Sequence, residues 1–508
     1  MSIIVFNPFE LSIEIVLYWV EIFRCLFKLC AMLLSLLSFI YLICALLLAV
    51  YASGSILLLF IYWWHRHDVN PIPSVDNWPS VAVQLPIYNE RYVVERLLDS
   101  VSRLDYPRDK LLVQVLDDST DDTSDVIADY MAALRQDGLN IVHIRRVHRE
   151  GFKAGALAYG LSLIESEFIV VLDADFMPAP DFLRRTIPYL VADQRLGMVQ
   201  TRWGHLNSYD NLLTLGQSLV LDGHFVVEQT ARNRAGWLIN FNGSGGVWRA
   251  ECIRQVGGWR DTTLTEDLDL SYRAQLAGWH FLYLPDVVVP AELPPLIAAY
   301  KQQQARWAKG STQTLVQIIG AVWHAKLTIS QRIMATMHLC QYIPHPLMIV
   351  LLFLTPLLMV GRGLQGMPLG PLGLIGLGPP LIYLISQRAL YADWRQRLLA
   401  FPVLLVLGTG IAWNNTVAVV EAFVPRQRSE FQRTPKFGKN GQGIRYALRV
   451  DSAMWTEFML AAYALWGALM AMEFNPAYTV YMAIYSFGFG VIAFWSLRDR
   501  WVINHNGG

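Results

Sequence analysis

The sequence predicts an α/β domain, a mostly parallel sheet covered by helices on both faces, held between apolar segments that belong in a membrane. Three observations carry this. Strand-like and helix-like stretches alternate from residue 80 to residue 172. The stretch FIVVLDADF at Phe168 is a continuous apolar run of the kind buried on both faces of a sheet. The 508 residues are 54% hydrophobic with a mean hydropathy of +0.33, and the excess lies at the two ends, leaving residues 65–330 with ordinary globular composition. The 41 basic and 41 acidic residues cancel, so nothing in the total charge points to a nucleic-acid partner. Five cysteines without a CxxC pair indicate neither a zinc site nor a disulfide framework.

The opening MSIIVFNPFELSIE lacks the basic start of a secretory signal peptide. Residues 10–28 mix Glu14, Glu21, Arg24 and Lys28 with bulky apolar residues, which suits an amphipathic helix lying on a membrane surface. Residues 29–64 are almost free of charge and read as one long spanning helix. Tyr62, Trp63 and Trp64, followed by His65, Arg66 and His67, mark its cytoplasmic end. Residues 1–64 therefore form a membrane unit, and 65–292 a globular one.

The globular unit opens with the strand SVAVQLPIYNE and the helix RYVVERLLDSVSRL. The strand LLVQVLDD, a helix over 125–136, the strand NIVHIRR, the loop REGFKAGAL with its helix, and FIVVLDADF follow. No GxGxxG joins the first strand to the first helix, which argues against a nicotinamide-type dinucleotide fold.

Four apolar runs come later, at about 333–361, 368–387, 398–424 and 453–497, the last broken near Glu473-Phe474-Asn475-Pro476. The third is flanked by Arg388, Arg395 and Arg397 on one side and by Arg426, Arg428, Arg433, Lys436 and Lys439 on the other. The positive-inside rule puts both flanks in the cytoplasm. Gly408, Gly410, Asn414, Asn415 and Glu421 also face lipid poorly, so 398–424 is expected to be interfacial or re-entrant, with 426–450 a cytoplasmic loop. That leaves five crossings, or six if the charge rule is overridden.

Several residues look chemical. Asp173 and Asp175 project to one side of an extended strand end, where ligands of open α/β sheets bind. Two carboxylates that close call for a cation, and oxygen donors suit Mg2+ or Mn2+ shared with a diphosphate, although Asp is also common in solvated turns. Asp117 and Asp118 end a second strand, where they can accept from a ribose hydroxyl or a base amine, or simply make turn hydrogen bonds. Lys153 in GFKAGA can neutralise phosphate or be a solvated loop lysine. Thr265-Glu266-Asp267 opens a helix, where Thr suits the N-cap and acids suit the first turn. In QQQARW, Gln303 and Trp307 are one helical turn apart beside Arg306, which also suits plain packing.

Taken in order, LDDS, GFKAGA, DAD, FNGSGGVWR, TED and QQQARW resemble the processive, membrane-integrated, inverting glycosyltransferases of family 2. These are the cellulose synthases and cellulose-synthase-like mannan and glucan synthases, here most similar to the glucomannan synthase-like branch and its bacterial relatives. FQRTPK resembles the family's gating loop at Phe431, Thr434 and Lys436, with Arg433 in place of Val. The resemblance covers about 80–450. It implies a GT-A fold for 65–292 on the cytoplasmic side, an interfacial region at 293–332 carrying QQQARW, and a membrane region over 333–508. By the same resemblance, Asp117, Asp118, Lys153, Asp173, Gln303 and Arg306 bind a nucleotide sugar, UDP-glucose or GDP-mannose. Asp173 and Asp175 reach its diphosphate through Mg2+ or Mn2+. Asp267 is the general base, and Trp307, Asn242, Gly243, Ser244 and Glu266 meet the acceptor.

The implied reaction extends a β-linked glucan, mannan or glucomannan and passes it through the chain's own helices, in a plasma or inner membrane. The same core on a lipid acceptor, making a β-glycosyl-diacylglycerol or ceramide-like glycolipid, is the alternative. A non-enzymatic binding subunit would have lost catalytic acids, and all are present. Two departures from the cellulose synthases stand out: Ser119-Thr120 follows the Asp pair where they carry a Gly pair or similar, and no cyclic-dinucleotide-binding domain is expected after the last apolar run.

Overall fold

A computed structural model describes residues 8–424 and 453–505. Phe431, Thr434 and Lys436, with the rest of the expected gating loop at 426–450, lie outside the described residues. Among the described residues, seven strands form one sheet: β1 (Val81–Ile87), β2 (Leu111–Asp117), β3 (Ile141–Arg145), β4 (Phe168–Val171), β5 (Leu196–His205), β6 (Gly246–Arg249) and β7 (His280–Ala291). Their order is β3-β2-β1-β4-β6-β5-β7. All neighbours are parallel except β6, which runs antiparallel to both β4 and β5.

The apolar runs become central strands because both faces are covered. Val81, Val83 and Leu85 pack on one side with Leu97, Ile127 and Phe182. Ala82, Ile169 and Val171 pack on the other with Leu157, Phe241 and Trp248. The antiparallel pairing of β6 sets Val171 opposite Gly246, so the glycine-rich FNGSGG lies against the carboxyl end of β4. The Gly245 N–H donates to the Val171 carbonyl (3.0 Å), and the Asp173 N–H to Ser244 Oγ (2.9 Å).

The amino-terminal segment differs from expectation. Pro8–His65 is one unbroken helix, with no joint between an interfacial and a spanning part. No proline or glycine interrupts residues 10–53, so nothing in the backbone stops the helix. Its carboxyl half packs through Leu58, Leu59 and Tyr62 on Val226 and Val227 of the globular domain.

Among the described residues, five helical segments are long and apolar enough to cross a membrane: 18–65, 369–390, 394–422, 453–474 and 476–501. A sixth is reached if Ile329–Leu339 and Pro344–Val360, bent by 64° at their junction, count as one. The total agrees with the expected five, but the members do not. The run at 333–361 is broken by that bend, whereas the segment expected to be interfacial, 398–424, qualifies. One ground for excluding it, its polar residues, loses force in the tertiary structure. Asn415 is fully buried and donates to His345 Nε2 (3.2 Å), while Asn414 donates to the Lys301 carbonyl (3.0 Å). Gly410 packs against the backbone of Gly488. These residues face protein rather than lipid. Arg397 is no free flanking cation either: it is buried, bonded to Gln387 and Ser218, and 3.7 Å from the buried Asp222.

The QQQARW segment lies in the helix Ile297–His324, which is fastened to the last two helices. Asp499 accepts from the Ala298 N–H at its first turn (3.3 Å), and Lys301 pairs with Glu457 at 2.5 Å, both partners buried. Further along, Lys309 pairs with Glu421 (3.0 Å).

Candidate active site

An open cleft lies beyond the carboxyl ends of β1 and β4, where the sheet reverses direction. It gathers Lys153, Asp173, Asp175, Asn242, Gly243, Glu266, Asp267, Gln303, Arg306 and Trp307. These residues come from five separate stretches of the sequence, and the strand pairing above explains how they meet. β4 delivers Asp173 and Asp175, β6 sets Asn242 and Gly243 beside them, and the helix Glu266–Leu276 presents its first turn across the cleft.

Lys153 is the hub. Its Nζ lies 2.6 Å from Asp173 Oδ1, donates to the Gly243 carbonyl (2.8 Å) and stands 3.8 Å from Glu266. Burial pulls its pKa down, but Asp173, Glu266 and Asp267 together outweigh burial and hold it above the usual lysine value. Asp267 is raised too, but in its case burial wins. Burial first, then the Glu266 carboxylate, raise its pKa to about 7 against the pull of Lys153, the Leu268 N–H and Arg306. Its Oδ1 accepts from that N–H at 2.8 Å. Gly243 has φ +83°, and a Cβ there would stand 2.8 Å from Asp267 Oδ2. Only glycine gives both the turn and the clearance.

Asp175 is 2% exposed and accepts from the Glu292 N–H (3.0 Å), while Asp173 keeps about a third of its side chain open. Among the described residues no cluster of three or more His, Cys, Asp or Glu side chains could hold a metal ion. The carboxylates of Asp173 and Asp175 suit a hard cation that takes one or two protein oxygens and completes its shell with phosphate oxygens and water, as Mg2+ and Mn2+ do.

Three sequence candidates do not face the cleft. Asp117 is 1% exposed and accepts from Ser124 Oγ (2.6 Å), the Ser119 N–H (2.8 Å) and His143 Nε2 (2.9 Å). Burial alone would raise its pKa, but these bonds win and lower it to about 2. Asp118 is clamped by the Arg146 guanidinium. Both acids are occupied in tying β2 to β3 and the loop after it. Ser244 is fully buried and acts on Asp173 through that residue's backbone. Thr265 precedes the helix as expected, yet makes no capping bond; its hydroxyl pairs with Thr314 (3.2 Å).

The cleft also holds residues the sequence reading passed over: Tyr88, Glu90, Arg149, Trp203, His205 and Glu292. Tyr88 and Glu90 follow β1, and the strand-end logic that found Asp173 could have found them. Trp203, His205 and Glu292 end β5 or follow β7, strands whose place beside the cleft is visible only in the sheet order. The Arg149 guanidinium stacks 3.4 Å over the Tyr88 ring, forming a flat cationic wall that suits a planar base.

A sugar-nucleotide transferase is the class this fold and cleft define, and the comparisons with known proteins agree. Residues 79–310 match the model described as glycosyltransferase like family 2. That part of the chain resembles the family 2 glycosyltransferases. Glucomannan 4-beta-mannosyltransferase 1 of Oryza sativa subsp. japonica is 40% identical over 279 residues, 53% of this chain and 54% of its own length. Glucomannan 4-beta-mannosyltransferase 2 of Arabidopsis thaliana is 41% identical over 273 residues, 51% of each chain. The chain thus spans about half the length of the curated relatives it matches. Among solved structures, mannosyltransferase PcManGT from Pyrobaculum calidifontis, in complex with GDP-Man and Mn2+, superposes with a TM-score of 0.52 at 24% identity. That match covers 75% of this chain and 98% of that one, and places the domain in the GT-A fold.

Proposed function

We propose that this chain is an inverting hexosyltransferase that moves mannose from GDP-mannose onto a growing β-linked, mannan-type polysaccharide at a membrane. The names of the relatives about 40% identical favour mannose over glucose and a polymer over a lipid acceptor. The single observation that carries the chemistry is Asp267, a carboxyl with its pKa raised to about 7 that shares a cleft with Lys153, Asp173 and Arg306. A positioned acid with a pKa near the working pH is what a general base requires. Asp267 takes the acceptor hydroxyl's proton as that oxygen attacks the anomeric carbon. Lys153 and Arg306 receive the charge that develops on the departing diphosphate. With base and leaving group on opposite sides of the sugar, a single displacement inverts the anomeric centre.

Asp173 and Asp175 would hold Mg2+ or Mn2+ at the diphosphate, and such an ion supplies Lewis-acid stabilisation of the leaving group. Trp307 offers a flat face to the acceptor's terminal ring, and Gln303 and Arg306 extend from the same helix. The stack of Arg149 on Tyr88 suits the guanine. We place the catalytic domain on the cytoplasmic side, where nucleotide sugars are made, with the product leaving through the helices. The test is to give purified full-length protein GDP-mannose or UDP-glucose with Mn2+ and to size the product. A polymer formed from GDP-mannose is expected. A single sugar on co-purified lipid would replace the polymer reading, and no transfer from either donor would end the transferase reading.

A further inference from the structure

A chain of hydrogen-bonded side chains runs from the cleft wall toward the membrane helices, and its direction can be followed bond by bond. Gln229 Nε2 donates to the Asn240 backbone carbonyl (3.1 Å), which fixes that end of its amide as the donor. The same nitrogen donates to Asn242 Oδ1 (2.7 Å), so the Asn242 nitrogen must be the other arm. Asn242 Nδ2 then donates to His224 Nε2 (3.0 Å). His224 accepts there, so its proton sits on Nδ1 and goes to the Glu228 carboxylate (3.0 Å). The chain is continuous because the helix widens to i→i+5 bonding over Gly223–Gln229, a geometry often met at functional sites. There His224 and Glu228, four residues apart, sit on one face. Asn242 is held by its backbone as well, through its N–H to Gln200 Oε1 (2.9 Å).

An asparagine amide carries two hydrogens. His224 takes one, no described residue accepts the other, and the side chain lines the cleft with Asp267 and Trp307. His224 and Glu228 are not sealed off. They keep 21% and 33% of their side-chain surface open, although the segment packs against the amino-terminal helix and against Ile382 and Tyr383.

We infer that His224, Glu228 and Gln229 are positioning residues: they set the direction of the Asn242 amide, so that its remaining hydrogen reads one hydroxyl of the acceptor sugar that the family resemblance brings to Asn242. The inference rests on the transferase reading above. A sugar presents many oxygens, and an amide held at its oxygen and at one hydrogen offers the other hydrogen in one direction only. A hydroxyl oxygen placed there is accepted without reordering the protein, which is the preorganisation that binding rewards. No charge is brought near the reacting centre, so the residues act on acceptor binding rather than on the donor.

The test uses the full-length protein and the variants Asn242→Ala, His224→Leu and His224→Gln. Acceptor KM, kcat and the Kd for GDP with Mn2+ are measured on each. One lost or misdirected hydrogen bond between neutral groups corresponds to a rise of roughly 3–10-fold in acceptor KM. That rise is expected in Asn242→Ala and His224→Leu, with the Kd for GDP unchanged as evidence of an intact fold. His224→Gln offers an amide oxygen near the position of Nε2 and should recover most of the loss. An unchanged acceptor KM in His224→Leu, or a parallel loss of GDP binding, would overturn the inference. A wild-type protein that bound GDP but transferred no sugar would overturn the transferase reading instead.

Discussion

Asp267→Asn isolates basicity from shape. The amide oxygen that this substitution introduces can still accept the Leu268 N–H that Asp267 Oδ1 now accepts at 2.8 Å, so the start of the helix is preserved. The new NH2 falls where Oδ2 stands, beside Gly243, which has no Cβ to obstruct it. What disappears is a proton acceptor and one negative charge near Lys153 and Arg306. Losing the acceptor should lower transfer by ~10²–10⁴-fold, which is about 3–5.5 kcal/mol in the barrier. Losing the charge leaves the two cations freer to meet a diphosphate, so donor affinity should hold or rise. Pre-steady-state transfer and calorimetric binding of GDP-mannose separate the two effects.

The pH profile adds an independent check. A carboxyl raised to about 7 is protonated below that pH and ionised above it, so the base is available only on the alkaline side. Wild-type kcat/KM should therefore climb about tenfold per pH unit up to about pH 7 and then level off. In Asp267→Asn that limb should vanish. Near wild-type transfer by this variant, or a defect confined to donor binding, would refute the assignment of the base.

Chelation with EDTA should abolish transfer and added Mn2+ or Mg2+ restore it, with Asp173→Asn needing more metal for half-maximal rate; turnover that ignores EDTA would count against the carboxylate pair. Gly243→Ala combines a strained φ of +83° with a Cβ 2.8 Å from Asp267 Oδ2, so transfer should fall on the order of 10²-fold. Gly236→Ala, at φ +67° with nothing within 4 Å, is its control: it carries only backbone strain and should keep its turnover. Removing one member of the buried Lys301–Glu457 pair, as in Glu457→Leu, should destabilise by about 3–5 kcal/mol. The double variant Lys301→Met with Glu457→Leu should recover much of that in thermal unfolding, because no unpaired charge remains buried; a double variant as unstable as the single would refute that account.

The sequence by itself determined the elements and the chemistry at their ends. Strands such as Phe168–Val171 announce themselves because a run buried on both faces must be apolar throughout. The acids of DAD are legible because the strand end is a local feature. What lies across the cleft is not local. Only the antiparallel return of β6 shows that Gly243 faces Asp267 and that Ser244 braces Asp173 from behind. Asp117 and Asp118 look as available in sequence as Asp173, yet they are bonded to His143 and Arg146, from another strand and its loop, and do not line the cleft. The same reason explains the membrane segment. Asn414, Asn415 and Arg397 read as unfit for lipid because composition cannot tell a lipid face from a protein face. Packing supplied Lys301, His345 and Asp222 as partners, and that is a decision made between helices far apart in the chain.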